Sequence, residues 1–295
     1  LAQDGTATTV TLTSTDPEGL PLTWSSSVSG VTQAATVTNV DNVFTITPST
    51  NQSHFGTINV TFSVTDGNNT ETSLSSFILR FLVPNSQYTS TLVEATGTGT
   101  NLTFVDASTQ THTITNTDVV AGTFSPYRSG GYSTYFDGSG DYLQLPSDAG
   151  FSFGTGDFTV EAWVYYPPIS NVGRMIIDSR PTSTNGSYWL FGTGSTGIIS
   201  FVTMSTGGNT VADTVARPNQ WVHYAATRSG TSLRLFANGT LVASTTDSSN
   251  ISSASPTIGK NAYGSSDTWW LGNISNLRIV KGTAVYTSAF TPPTA

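Results

Sequence analysis

The chain has 295 residues, with 10 Lys and Arg against 18 Asp and Glu, a formal net charge of −8, and no cysteine. With no Lys/Arg cluster to neutralise a run of phosphates, nucleic acid is set aside as a partner, and the missing cysteines remove disulfides, thiolate nucleophiles and Cys-based zinc sites. Charged residues make up only 9% and aromatics 11%, a balance that favours all-β structure with short turns over both helix and disorder.

The first residues, LAQDGTATTV, have no basic or hydrophobic leader pattern, and no apolar run is long enough to span a bilayer as a helix, so no membrane partner is expected. Because it opens at Leu1 inside what reads as a strand, the chain is expected to be a segment of a longer polypeptide. From Thr6 to Phe81 the runs TVTLTST, PLTW, VFTITP, TINVTFSVTD and SSFILRFLV are separated by the turn clusters DPEG, NQSHFG and DGNNTE, which predicts a small β-sandwich. Ile58, Val60, Phe62 and Val64 take one face of the fourth run and leave Asn59, Thr61 and Ser63 for solvent. The Pro-containing stretch VPNSQY marks a boundary, giving a first domain over 1–84 and a second over 85–295.

The first domain's TDPEGLPLTWS followed by FTITPSTNQSHFGTINVTFSVTDGNNTE resembles the cadherin-like or Ig-like repeats strung in tandem on bacterial surface and phage proteins. Some of those modules bind calcium through acidic residues at their ends, and Asp4, Asp16, Glu18 and Asp66 sit at comparable places, although the longer acidic linker signature is absent. The competing reading is that Asp16 and Asp66 simply open turns.

The second domain begins with STLVEA, NLTFVDAS and HTITNT and reaches the clearest strand at 158–166. There Phe158, Val160, Ala162, Val164 and Tyr166 alternate with Thr159, Glu161, Trp163 and Tyr165. The second row is not plainly polar, so it either lies under another layer or lines a shallow aromatic groove. MIID, YWLFGTG, GIISFVTM, WVHYAATR, SLRLFA, TLVASTT, PTIGK and WWLGNISNLRIV follow, with Asn238-Gly239 the strongest hairpin signal. So many short strands without helical periodicity predict a two-sheet jelly roll.

FDGSGDYLQLP followed by GDFTVEAWVY, then RPNQWVHYAATRSGTSLRLFANGTLVAS, resembles the concanavalin A-like, laminin-G-like jelly-roll family. The closing run LRIVKGTAVYTSAFTPPT resembles the versions carried by bacteriophage virion proteins. The resemblance implies a non-enzymatic virion structural or appendage protein (fibre, spike or capsid decoration) at the virion surface. Its expected partners are a host cell-surface glycan, other virion proteins and its own copies in a homotrimer. A bacterial secreted adhesin or carbohydrate-binding accessory domain, and a glycoside hydrolase of the same fold, are the alternatives.

Three sets of residues carry the chemistry. Tyr263, Asp267, Trp269 and Trp270, beside Asn261, are the sort of aromatic and polar cluster that stacks on a sugar face, and since adjacent tryptophans point to opposite sides, only one of the two belongs to the core. Asp137 and Asp141 in FDGSGDYL, with carbonyls freed by Gly138 and Gly140, are the expected ligands of a structural calcium, a metal-free turn being the other reading. Relatives often carry an acidic residue in the last long strand where this chain has Ser275, which weakens the calcium expectation. For hydrolysis, Asp157 and Glu161 stand four apart, about 13 Å along a strand at ~3.3 Å per residue, too far for a glycosidase carboxylate pair. Asp178 is a possible partner for Glu161, but Arg174 and Arg180 offer ordinary ion pairs, and His54, His112 and His223 are isolated. No catalytic residue is expected.

Overall fold

In the computed structural model the chain divides into two compact units, Leu1–Ser86 and Gln87–Ala295. The structure describes residues 5–49, 54, 56–68, 72–81, 88–95, 104–126, 132–169, 171–181, 186–205, 207–253, 255–263 and 268–293. Most of the VPNSQY boundary, together with Asp4 and Asp267, lies outside them.

The first unit is built of β1 (Thr8–Thr11), β2 (Thr23–Gly30), β3 (Ala35–Val40), β4 (Val43–Pro48), β5 (Gly56–Thr65) and β6 (Thr72–Phe81). They form two three-stranded antiparallel sheets, ordered β1-β4-β3 and β2-β5-β6. The alternating row Ile58, Val60, Phe62 and Val64 is buried as its period requires, with Phe44 meeting Phe62 edge-on at 4.5 Å. β3 was not among the runs picked from the sequence; it gains its place by pairing along β4 through a turn at Asp41, whose φ is +48°. Asp16 and Asp66 accept the amides of Leu20 and Asn68 at 2.8 and 2.9 Å, the turn-opening role.

The second unit begins with β7 (Thr89–Ala95), β8 (Phe104–Asp106), β9 (Thr115–Thr117), β10 (Val120–Gly122), β11 (Ser133–Asp137) and β12 (Tyr142–Gln144). Next come β13 (Phe158–Tyr165), β14 (Arg174–Asp178), β15 (Tyr188–Thr193), β16 (Ile199–Met204) and β17 (Gly208–Ala212). The last are β18 (Val222–Ser229), β19 (Ser232–Ala237), β20 (Thr240–Thr246), β21 (Thr257–Ile258) and β22 (Leu271–Lys281). A nine-stranded sheet runs β10-β11-β22-β13-β18-β19-β20, with β7 paired to β22 and β8 to β7, and a seven-stranded sheet runs β17-β16-β15-β14-β21-β12-β9. Their inner faces share one core that includes Phe158, Val160, Val164, Trp189, Phe191, Phe201, Tyr224, Ile258 and Trp270, the two-sheet jelly roll read from the sequence.

The Asn238-Gly239 turn has φ of +48° and +76°, as a two-residue hairpin demands. A side chain at Gly239 would also strike the Phe290 carbonyl, whose own amide bonds back to Gly239 at 3.0 Å. This seats the chain's last described segment, 282–293, across the outer face of the nine-stranded sheet. Val285 donates its amide to Thr159 Oγ1 at 2.9 Å, Thr227 Oγ1 donates to the Tyr286 carbonyl at 2.8 Å, and Trp163 Nε1 to that of Pro293 at 3.1 Å. The alternate row of β13 therefore lies largely under another layer: Thr159 and Glu161 are buried, and Tyr165, beyond the segment, packs against Phe124 and Trp221.

Candidate functional site

On the seven-stranded sheet, Leu143 and Ile177 both pair with Ile258 and turn inward, so Tyr142, Gln144, Thr257 and Asp178 project from the outer face. Asp178 is fully buried there. It accepts Arg180 Nε at 3.0 Å on Oδ1 and 2.8 Å on Oδ2, and Oδ2 also accepts the Ala262 amide at 3.2 Å. Gln144 Nε2 donates to the Ser255 and Pro256 carbonyls at 3.1 and 3.0 Å. These bonds bind the segment around 255–262 to the sheet.

Gly259 begins the turn at φ +88°, where a Cβ would stand 2.3 Å from the Phe136 ring, and its carbonyl accepts the Trp270 amide at 2.7 Å. The chain so placed carries Lys260 Nζ to 3.5 Å from the Tyr142 ring centroid and 5.7 Å from that of Trp269, the two rings being 6.2 Å apart. Arg174 Nη1 fixes the Trp269 carbonyl at 2.6 Å. Beside this cluster opens a depression of about 490 Å³ bordered by Gln144, Arg180, Thr257, Lys260 and Ala262, within the size range of small-ligand sites.

The predicted sugar-binding residues separate. Trp270 is fully buried and meets Tyr166 at 5.7 Å in the core, so its assignment to a sugar site is corrected: a ring with no exposed face cannot stack on a ligand. Trp269, its neighbour in an extended segment, points the other way and is half-buried, as are Tyr263 and Asn261, whose Oδ1 accepts the Tyr263 amide at 2.7 Å. Tyr142, Lys260 and Arg180 were missed. The parity of Tyr142 and Gln144 about Leu143 was legible, but the pairing of β12 with β21, a hundred-odd residues apart in sequence, was not.

The expected calcium ligands, Asp137 and Asp141, accept amides of their own loop. Asp141 Oδ2 accepts the Asp137 amide at 2.8 Å and Asp137 Oδ1 the Ser139 amide at 2.7 Å, so the loop uses them as turn acceptors. Burial, and then the charges of Asp137 and Asp118, push the Asp141 carboxyl above its ordinary value. Among the described residues no group of three His, Asp or Glu is placed to hold a metal, and calcium wants six or more oxygens.

Under the 282–293 segment lies a second polar cluster. Glu161, 2% exposed, accepts Nε and Nη2 of Arg278 on Oε1, and its Oε2 is 3.0 Å from His223 Nε2. Burial works to raise the Glu161 pKa, but Arg278 first and then His223 and Tyr286 outweigh it and bring it down to about 2. Tyr286, held up by burial and by the Glu161 charge, stacks on Phe290 at 3.5 Å, and Phe290 in turn packs against His223 at 5.8 Å and Phe236 at 5.5 Å. Asp178 lies on the other sheet and does not face Glu161.

The family described as the concanavalin A-like lectin/glucanases superfamily matches residues 137–285, and a bacterial Ig domain matches 1–78. No curated relative matches the chain. Among solved structures, the binding domain of Paraclostridial Mosquitocidal Protein 1 is similar at 13% identity over 68% of this chain, with a TM-score of 0.54, and the match spans 50% of that chain. Domain 4 of AbnA, a GH43 extracellular arabinanase from Geobacillus stearothermophilus in complex with arabinotriose, is similar at 17% identity over 61% of this chain and 87% of its own (TM-score 0.46). The Ruminococcus gnavus IT-sialidase CBM40 bound to α2,3 sialyllactose is similar at 13% identity over 59% and 94% (TM-score 0.39).

Proposed function

The chain belongs to the concanavalin A-like lectin/glucanases superfamily, and from that premise we propose that its second domain is a non-catalytic glycan-binding module whose sugar stacks on Trp269. The observation that supports this most is the half-buried Trp269 beside Tyr142 and Lys260, the last of which borders an open depression on the outer face of the seven-stranded sheet. An aromatic platform with convergent polar groups is what saccharide recognition needs. The binding reading is favoured over hydrolysis by the state of Glu161: a glycosidase acid keeps a raised pKa and an open approach, whereas Glu161 is sealed, ionised and shared between Arg278 and His223.

A glycan array run on the wild type, Trp269→Ala and Glu161→Gln tests this. Hits lost in Trp269→Ala with the fold retained in a thermal melt support the site; hits unaffected by it remove the site, and glycan cleavage that Glu161→Gln abolishes would overturn the non-catalytic reading. The carrier we propose is a phage virion appendage, assembled as a trimer with other virion proteins and turned toward a host-surface glycan, on the strength of the LRIVKGTAVYTSAFTPPT run. Antibody labelling of intact particles and light scattering of the full chain are its checks. The bacterial Ig match over 1–78 favours the second reading, a bacterial surface adhesin with the same sugar site, which labelling of cell surfaces in place of particles would support.

A further inference from the structure

The depression beside Trp269 has a cation without a described carboxylate on its border; Arg174, Arg234 and Lys281 of the same domain also have no described carboxylate within ion-pair distance, but none of them borders it. Among the described residues, Arg180, Arg217, Arg228 and Arg278 each hold a carboxylate: Asp178, Asp213, Asp247 and Glu161. Lys260 has no described carboxylate within ion-pair distance; what holds its ammonium is the face of Tyr142 and, farther off, that of Trp269. Aromatic faces position a cation through their quadrupole without cancelling its charge. Asp178 directs its oxygens to Arg180 and the Ala262 amide, forming a pair that is neutral as a whole and leaves Lys260 without a described carboxylate partner. In a chain of net charge −8 with only 10 basic residues, two of those basic side chains border this one depression, and one of them is pinned with its charge intact.

Resting on the glycan-binding reading, we infer that the saccharide selected here carries a carboxylate, received by the Lys260 ammonium while Trp269 stacks on the sugar ring. A charge-assisted hydrogen bond to a preorganised ammonium discriminates between an acidic sugar and its neutral counterpart, because only the acid gains from it.

The test uses the full chain and two matched pairs of probes: oligogalacturonate with its methyl ester, and sialyllactose with lactose, measured by titration calorimetry. At least one acid is expected to bind roughly tenfold or more tighter than its neutral partner. Lys260→Gln should bring the ratio of acid to neutral affinity down toward one, and Lys260→Arg should retain most of it; the side chain is partly exposed, and a thermal melt verifies that both variants fold. Equal binding of acid and neutral partner, or an acid affinity indifferent to Lys260→Gln, overturns the inference. If neutral sugars bind without charge preference and Trp269→Ala abolishes that binding, the glycan site stands and the carboxylate does not. Binding of no probe, together with an empty glycan array, overturns both.

Discussion

On the outer face of the nine-stranded sheet, Glu161, Trp163, His223 and Arg278 lie beneath residues 282–293, whereas on the outer face of the seven-stranded sheet Tyr142, Lys260 and Trp269 stand beside an open depression. Both faces bring together aromatic rings and charged groups, the residue types usually taken as marks of a site. The difference is access. A covering segment turns one set into a second core layer, in which each charge must find a partner because desolvation is costly. The other set keeps a cation that, among the described residues, lies over aromatic rings with no carboxylate partner.

Breaking the buried side should have the largest effect. Arg278→Met leaves the Glu161 charge sealed with only the weaker support of His223 and Tyr286, and an undercompensated buried charge costs about 3–5 kcal/mol. Urea unfolding followed by tryptophan fluorescence reads this, since of the six tryptophans only Trp24 lies in the first unit. A loss under about 1 kcal/mol would mean that the segment does not seal the cluster.

The two adjacent tryptophans sharpen the contrast within a single dipeptide. Trp270→Ala empties a fully buried site and should destabilise by about 3–5 kcal/mol. Trp269→Ala, from a half-buried position, should cost no more than about 1–2 kcal/mol by partial loss of apolar burial, with its main effect on sugar binding. Equal losses would contradict the division into core and site.

Acid should then erase what Glu161 contributes. Its folded pKa of about 2 lies below the ordinary 4.5, so the stabilisation is complete above pH 4.5 and is lost as the pH falls through about 2. A shift of this size corresponds to something on the order of 3 kcal/mol. Glu161→Gln should accordingly be less stable than wild type at pH 7, with the gap closing toward pH 2. A constant gap across that window would show that the carboxylate is not held ionised.

The smallest effect is expected at the Asp137–Asp141 loop. Both carboxylates are engaged as turn acceptors, so adding calcium or a chelator should leave the melting midpoint unmoved. A clear rise with calcium would make the loop a metal site, since a ligand that binds only the folded state stabilises it.

The run LRIVKGTAVYTSAFTPPT has a structural meaning of its own. It takes in the second half of β22 and the whole of the covering segment. Tyr286 and Phe290 in it lie over His223, and Arg278 reaches Glu161. What the motif marks physically is how the nine-stranded sheet is closed.

Local regularities let the sequence determine a good deal unaided. Period-two alternation set the buried row of β13 and of β5, Asn238-Gly239 set its hairpin, and the opposite directions of neighbouring extended residues required one of Trp269 and Trp270 to leave the core. It left open which tryptophan that was, whether Trp163 and Tyr165 were covered, and which arginine would take Glu161. Each of those answers depends on pairings between residues up to 130 positions apart, such as Trp163 with the Pro293 carbonyl or Arg278 with Glu161, 117 apart. Only the tertiary structure decided them, because burial and ion pairing belong to the surface that covers a residue, and nothing in a residue's sequence neighbourhood says which distant segment that will be.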